Sequence, residues 1–216
     1  MSADLLTDLP AISRLALAYV SPAAKPATAA LLALDHQLGS IARSTTEPML
    51  AQLRYAWWRD VLTGVQGGRG NAVTAALDTW GERRSHLVAL ADGWEALVVA
   101  DDLHTGALQL VEARAGAAGA LAQVLGEHGA MNAASEVGRR WALGDLVQNL
   151  SEGPARTALL AQLLSVPKST PSLPRALRSF AILAASTGQT MHNSTTNRVP
   201  ALPMLLTIMR IGLFGR

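Results

Sequence analysis

The spacing of apolar residues is the feature that most limits the fold of this chain. Apolar residues recur three and four positions apart, and no run of β-branched residues alternates with polar ones. Half of the 216 residues are hydrophobic, and alanine, the best helix former, is abundant among them. The sequence therefore predicts an all-α protein, folded as one domain over residues 1–216.

Prolines and glycines divide the chain into predicted helices. Ser21, Pro22 and Pro26 separate the first two helices, and the glycines between 64 and 70 form a connector after the third. A polar stretch predicts a mobile loop at about 188–200. The predicted helices span about 9–20, 26–43, 47–63, 71–79, 83–98, 102–126, 131–150, 155–165, 174–187 and 201–214.

Several kinds of site are excluded by the residues present. The chain has no cysteine, and its five histidines form neither an HExxH motif nor a close pair, so zinc is not expected. Asp101 and Asp102 lie where a helix is predicted to start, and acids are favoured there by the helix dipole. No export signal and no apolar segment of about 18–20 residues is evident, which predicts a cytoplasmic location.

The segment 47–62 carries the strongest functional signal. Pro48 suits the first turn of a helix. An apolar stripe at helical spacing predicts that Trp57 lies in the core. The residues of this stripe are Leu50, Leu53, Trp57 and Val61.

Basic residues on the same helix allow two interpretations. Arg54 and Arg59 lie within one turn of the paired tryptophans, and Asp60 follows directly. Composition alone favours a core helix whose arginines snorkel or pair with acids. Alternatively, the helix lines an anion-binding cavity, because guanidinium groups match phosphate oxygens. In that interpretation Arg54 and Trp58 face the cavity or a partner, and Arg59 and Asp60 join them as candidate binding residues.

The segment EPMLAQLRYAWWRDVL at 47–62 resembles one found in the squalene/phytoene synthase family, especially in its short, divergent members. Weaker similarity covers most of the chain. The resemblance implies a truncated form of the isoprenoid (terpenoid) synthase fold, a single-domain helical bundle. The other similar segments are 14–20, 30–35, 90–95, 116–121, 137–143 and 205–216.

Active members of that family bind diphosphate through magnesium held by two aspartate-rich helical motifs. The positions that match the first motif, Gly39, Ser40 and Arg43, include no acid. At the second motif Asp145 is acidic but lies in the neighbouring register, with no acid one turn later. Magnesium prefers clustered oxygen ligands, so the resemblance implies that both metal sites are lost and that no cofactor is bound.

Three function classes follow from the resemblance. The first is a noncatalytic binding or assembly factor, a role ascribed to divergent members related to mitochondrial complex I assembly factors. The second is a prenyl-diphosphate transferase of isoprenoid biosynthesis with displaced acids, which would use magnesium. The third is a prenyl-lipid carrier, favoured if Trp57, Trp58 and Trp141 line a cavity. The missing acids favour the first class, with Trp141 and Asp145 added to the candidate binding residues.

Charge is divided unevenly along the chain. Residues 1–152 hold eleven basic and all sixteen acidic residues, a balance of −5, whereas residues 153–216 hold seven basic residues and no acid. Packing of the basic part on the acidic part is one explanation. The other is a protein partner or the anionic inner face of a membrane. Nucleic acid is not expected, because the basic residues are sparse and not interleaved with aromatic ones.

Overall fold

The computed structural model describes residues 3–45, 47–68, 70–167, 171–190, 207 and 209–212. Every regular element in these ranges is helical, which confirms the all-α prediction, and the described part of the chain contains no β-strand. None of the described helices is long and apolar enough to cross a bilayer.

The described structure contains ten α-helices of five or more residues and three 3₁₀ segments. The 3₁₀ segments are Leu77–Leu87, His128–Ala130 and Arg175–Leu177. The helices are α1 (Ala3–Thr7), α2 (Ala11–Ala18), α3 (Lys25–Ser44), α4 (Pro48–Thr63), α5 (Ala72–Ala76), α6 (Val88–Val99), α7 (Leu103–Val124), α8 (Met131–Asn149), α9 (Pro154–Ser165) and α10 (Arg178–Thr190).

Most predicted helices agree with these bounds, but the fourth and fifth do not. The stretch predicted as parts of two helices contains the 3₁₀ segment Leu77–Leu87. Gly81 interrupts this segment with φ of 53°, a left-handed conformation that glycine adopts without a steric penalty. Trp80 anchors the segment to the body, because its indole nitrogen donates to the Ala27 carbonyl of α3 at 3.0 Å.

Helix α7 occupies the middle of the bundle and packs against both α6 and α8. Small residues allow these close approaches. A Cβ at Gly93 of α6 would lie 2.9 Å from the Leu110 backbone of α7, and one at Gly138 of α8 would lie 2.7 Å from the Ala118 Cβ. Helix α3 contacts α6 and α7, and α10 contacts α8 and α2. This arrangement surrounds a space between α3, α6, α7 and α8.

The buried face of α4 differs from the predicted one. Trp58 is only 2 % exposed and belongs to the core, whereas Trp57 is partly buried. Leu50 and Leu53 of the predicted stripe are 46 % and 62 % exposed, and only Val61 is buried as expected. The prediction that Trp57 is the core tryptophan and Trp58 faces a cavity is therefore wrong.

The physical reason is that α4 carries a second apolar stripe, on the neighbouring face of the helix. Ala51 and Tyr55 are fully buried, and α4 packs against α6 and α3. The Tyr55 hydroxyl donates to the Leu38 carbonyl at 3.2 Å, which satisfies a buried polar group. A small residue at 51 and a hydrogen-bonding aromatic one at 55 therefore set which face of α4 packs inward.

The carboxyl-terminal predictions lie mostly outside the described residues. Helix α10 continues to Thr190, so residues 188–190 are helical and not part of the predicted loop. The rest of that loop and most of the predicted helix 201–214 lie outside the described ranges. Residues 209–212 are helical, and the Gly212 carbonyl accepts a hydrogen bond from Arg178 at 2.8 Å.

Candidate functional site

A buried guanidinium lies at the centre of the helical bundle. The Arg114 side chain of α7 is 4 % exposed and binds Asp35 of α3 with two parallel hydrogen bonds. Its Nε lies 2.9 Å from one carboxylate oxygen and its Nη2 lies 2.8 Å from the other. This bidentate geometry is the strongest form of the arginine–carboxylate pair.

The third guanidinium nitrogen joins α8 to the same cluster. Arg114 Nη1 donates to Asp145 at 2.7 Å, and the side-chain amide of Asn149, one turn later on α8, donates to the second Asp145 oxygen at 3.1 Å. The Asp145 side chain is 30 % exposed, so it forms the outer edge of the cluster. Two carboxylates from different helices thus share one cation.

Two tryptophans enclose this cation. The guanidinium carbon of Arg114 lies 5.0 Å from the ring centroid of Trp94 and 4.8 Å from that of Trp141. Both distances fall within the range of cation–π attraction. The Trp94 indole also donates to Asp35 at 2.9 Å, so it orients the carboxylate that binds Arg114. We call Asp35, Trp94, Arg114, Trp141 and Asp145 the Arg114 cluster.

The electrostatics of the cluster keep its arginine charged. Burial lowers the pKa of Arg114, but the charges of Asp35 and Asp145 outweigh it, and the pKa is raised above its ordinary value. A buried charge is tolerated only where it is paired and hydrogen bonded. The guanidinium is consequently a permanent cation that is already committed to two carboxylates.

The cluster forms the inner wall of a partly enclosed cleft of about 840 Å³ between α2, α3, α6, α7, α8 and α10. This volume is typical of small-molecule sites. We call this space the Arg114 cleft. Its other walls are mainly apolar, and include Ile12, Leu97, Val98, Leu103, Leu146 and Leu183.

Where α3 borders the mouth of the cleft, the side chains are polar, unlike the mainly apolar walls. His36 and Arg43 line the mouth, and Arg43 is exposed. A Cβ at Gly39 would lie 2.9 Å from the Arg43 Nη1 and 2.9 Å from the Trp94 ring, so the glycine makes room for both. Burial, followed by the charge of Arg43, lowers the pKa of His36. His36 and Arg43 lie on the same face of α3, about two turns apart.

Of the six predicted binding residues, only Trp141 and Asp145 line this cleft. Trp58 lies in the core instead, in edge-to-face contact with Trp57 at 4.9 Å between ring centroids. Among the described residues, the tryptophans that line the Arg114 cleft are Trp94 and Trp141, and neither member of the predicted pair does so.

The other three predicted residues also lie outside the cleft, on α4. Arg54 is exposed and donates to the Thr45 hydroxyl at 3.0 Å. Arg59 is bound by Asp92, at 2.6 Å, and by Glu95, both on α6. The contacts of Arg59 agree with the structural interpretation of arginines that pair with acids.

Asp60 contributes to the end of α4. Its carbonyl accepts the backbone N–H groups of Val65 and Gln66, and its carboxylate accepts from the Gln66 side chain at 3.3 Å. Gly64 adopts the left-handed conformation that this helix end requires, with φ of 81°. The geometry thus gives Asp60 a role in ending the helix.

The donor set of the cleft does not fit magnesium. Magnesium needs several free oxygen ligands, whereas the two cleft carboxylates are held by Arg114. Across the described part of the chain, no three acidic or histidine side chains come together as a metal site would need. At the positions matching the first metal motif, Gly39 contacts Trp94 and Arg43 supplies positive charge.

Sequence reasoning missed Asp35, Trp94 and Arg114 as site residues, although a signal was present. Asp35 follows six consecutive apolar residues in α3, and Arg114 is an isolated cation in the alanine- and glycine-rich stretch of α7. A charge inside an otherwise apolar helix is seldom buried without a partner. Two such charges of opposite sign therefore indicate a buried ion pair.

Comparisons with protein-family models, with curated proteins and with solved structures find no match for this chain.

Proposed function

We propose that this chain is a noncatalytic, squalene/phytoene synthase-like binding protein that holds an apolar ligand in the Arg114 cleft. One observation carries the proposal. The cleft combines mainly apolar walls with two carboxylates that are both already bound by a buried guanidinium. Such a site offers apolar contact over a large area without free ligands for a metal.

The same arrangement argues against the transferase alternative. A diphosphate brings several negative charges, which metal ions neutralise in enzymes that act on phosphates. Here the Arg114 cluster, which forms the inner wall of the cleft, holds two carboxylates and one guanidinium. This excess of negative charge opposes a diphosphate. Purified protein with farnesyl diphosphate and magnesium is expected to form no squalene, and metal-dependent turnover that is lost in Asp145→Asn would overturn the proposal.

Ligand binding is tested with a neutral apolar probe. N-phenyl-1-naphthylamine becomes fluorescent in apolar sites and is expected to bind with one-to-one stoichiometry. Ala42→Trp introduces a bulky side chain at the cleft and should abolish this binding. Ala56→Trp, on the exposed face of α4, is the matched control and should bind like the parent. Equal binding by both variants would place the probe elsewhere and contradict the proposal.

A role in assembling other proteins is the second candidate, and the exposed face of α4 favours it. Met49, Leu50 and Leu53 are 72 %, 46 % and 62 % exposed and lie on neighbouring turns. Contiguous exposed apolar side chains are typical of protein-interaction surfaces. A photocrosslinking residue at position 53 should capture a defined protein in the cells that make this chain. The same residue in place of Val65, which is 75 % exposed, should not.

A further inference from the structure

Arg43 differs from the arginines that form ion pairs in the described part of the protein. Arg59, Arg114 and Arg139 each bind one or two carboxylates. Among the described residues, no carboxylate lies within ion-pair distance of Arg43, although its side chain lines the cleft mouth. The chain thus places a cation without an acidic partner at the entrance of a mainly apolar space.

The position of Arg43 depends on Gly39, one turn earlier on α3. Both the Arg43 guanidinium and the Trp94 ring come within 2.9 Å of the place that a Cβ of residue 39 would occupy. A larger side chain there would displace one of them. The absence of a side chain therefore lets the guanidinium lie back along α3, next to the aromatic wall of the cleft.

Charge inside the cleft limits what this cation can bind. The Arg114 cluster carries a net charge of −1, because Asp35 and Asp145 share the single guanidinium of Arg114. A head group with two or more negative charges is repelled by that excess at short range. A head group with one negative charge can be neutralised by Arg43 at the mouth while its tail occupies the apolar walls.

We propose that the Arg43 side of the mouth binds the carboxylate of a long-chain carboxylic acid whose tail fills the Arg114 cleft. This proposal rests on the proposed function, and it names the class of ligand. The planar guanidinium fork of Arg43 matches a carboxylate with two parallel hydrogen bonds. His36, on the same face of α3 and about two turns earlier, also lines the cleft and supplies a further hydrogen-bonding group.

Three amphiphiles with the same twelve-carbon tail test the proposal. Dodecanoate, 1-dodecanol and dodecyl phosphate are titrated below their aggregation limits, and binding is followed by the fluorescence of the cleft tryptophans and by calorimetry. The parent protein is expected to bind dodecanoate at least tenfold more tightly than 1-dodecanol. Dodecyl phosphate is expected to bind more weakly than dodecanoate at pH 8, where the phosphate carries close to two charges.

Arg43→Gln isolates the contribution of the guanidinium. This variant should lose the preference for dodecanoate over 1-dodecanol while its affinity for 1-dodecanol changes less than twofold. Arg83→Gln is the matched control, because Arg83 is exposed, lies outside the cleft and likewise has no ion-pair partner among the described residues. It should keep the parent's preference.

The outcomes separate this proposal from the proposed function. Equal binding of dodecanoate and 1-dodecanol, or an unchanged preference in Arg43→Gln, would overturn the carboxylate site and leave the apolar cleft supported. Tighter binding of dodecyl phosphate than of dodecanoate would overturn the choice of a singly charged head group. Failure of every amphiphile and of the neutral naphthylamine probe would overturn both proposals.

Discussion

At the scale of single residues, Arg114 connects three helices through one side chain. Its pairing with Asp35 is buried, whereas the pairing of Arg139 with Glu112 lies on the surface, and both pairs are bidentate. The two pairs should differ in their effect on the free energy of unfolding, because only the pair of Arg114 and Asp35 is buried. Removing one partner of a buried pair leaves a charge without compensation, whereas water solvates an exposed one.

Asp35→Asn should therefore lower the free energy of unfolding by about 3–5 kcal/mol. Glu112→Gln should change it by less than about 1 kcal/mol, because its partner is exposed. Urea denaturation followed by circular dichroism measures both values. Similar losses in the two variants would mean that burial does not govern the strength of these pairs, and the central role given to Arg114 would be wrong.

The adjacent tryptophans of α4 give a second comparison at this scale. Trp58 is buried and Trp57 is only partly buried. Trp58→Ala should lower the free energy of unfolding by about 3–5 kcal/mol, since it leaves a large cavity in the core. Trp57→Ala should lower it by clearly less. Thermal and urea unfolding measure both losses. A larger loss in Trp57→Ala than in Trp58→Ala would contradict the observed buried face of α4.

Tyr55 should make stability depend on alkaline pH. Burial raises the pKa of Tyr55 to about 12, so its neutral form is favoured in the folded state. Its contribution is fully present below the unfolded pKa of about 10 and is lost as the pH rises through 12. Unfolding measured from pH 9 to 12 should show this loss, and Tyr55→Phe should flatten it. An unchanged slope in Tyr55→Phe would mean that another group controls stability in this pH range.

At the scale of elements, the sequence predicted helices more successfully than it predicted their faces. The apolar spacing and proline positions located α3, α4 and α8 to within a few residues, because those signals are local. On α4, however, two overlapping stripes satisfy helical spacing, and only the contact between Tyr55 and α3 selects one. The Arg114 cluster joins residues up to 110 positions apart. A local sequence pattern therefore does not predict which charged residues form ion pairs.

Glycines in α6 and α7 show how element packing depends on residues without side chains. Gly93→Ala would bring a methyl group within 2.9 Å of the Leu110 backbone, so it should destabilise the protein by about 1–3 kcal/mol. Gly116→Ala meets no atom within 4 Å and should stabilise it by about 0.5–1 kcal/mol through helix propensity. Calorimetric melting of both variants tests this, and stabilisation by Gly93→Ala would show that α6 and α7 can move apart freely.

At the scale of the whole molecule, the two charge regions meet through packed helices. Arg156 of α9 donates to the Val147 carbonyl of α8 at 2.7 Å, across the boundary between the regions, whereas Arg178 of α10 donates to the Gly212 carbonyl within the acid-free region. These basic side chains of the acid-free region thus bind backbone oxygens. The observed contacts support local packing for these two residues. The salt bridges in which both partners are described residues lie within the region before Glu152.

The charge of +7 over residues 153–216 predicts weak attraction to anionic vesicles, since no acid in that region offsets it. Salt screens exposed charges over about 8 Å at physiological ionic strength, so the attraction should fall as salt is raised. Sedimentation with vesicles of phosphatidylserine and phosphatidylcholine, compared with phosphatidylcholine alone, measures it. Equal binding to both vesicles, or binding to neither at low salt, would mean that these bases act only within the protein. A salt-sensitive preference for the anionic vesicles would instead assign them a surface role that is separate from the ligand cleft.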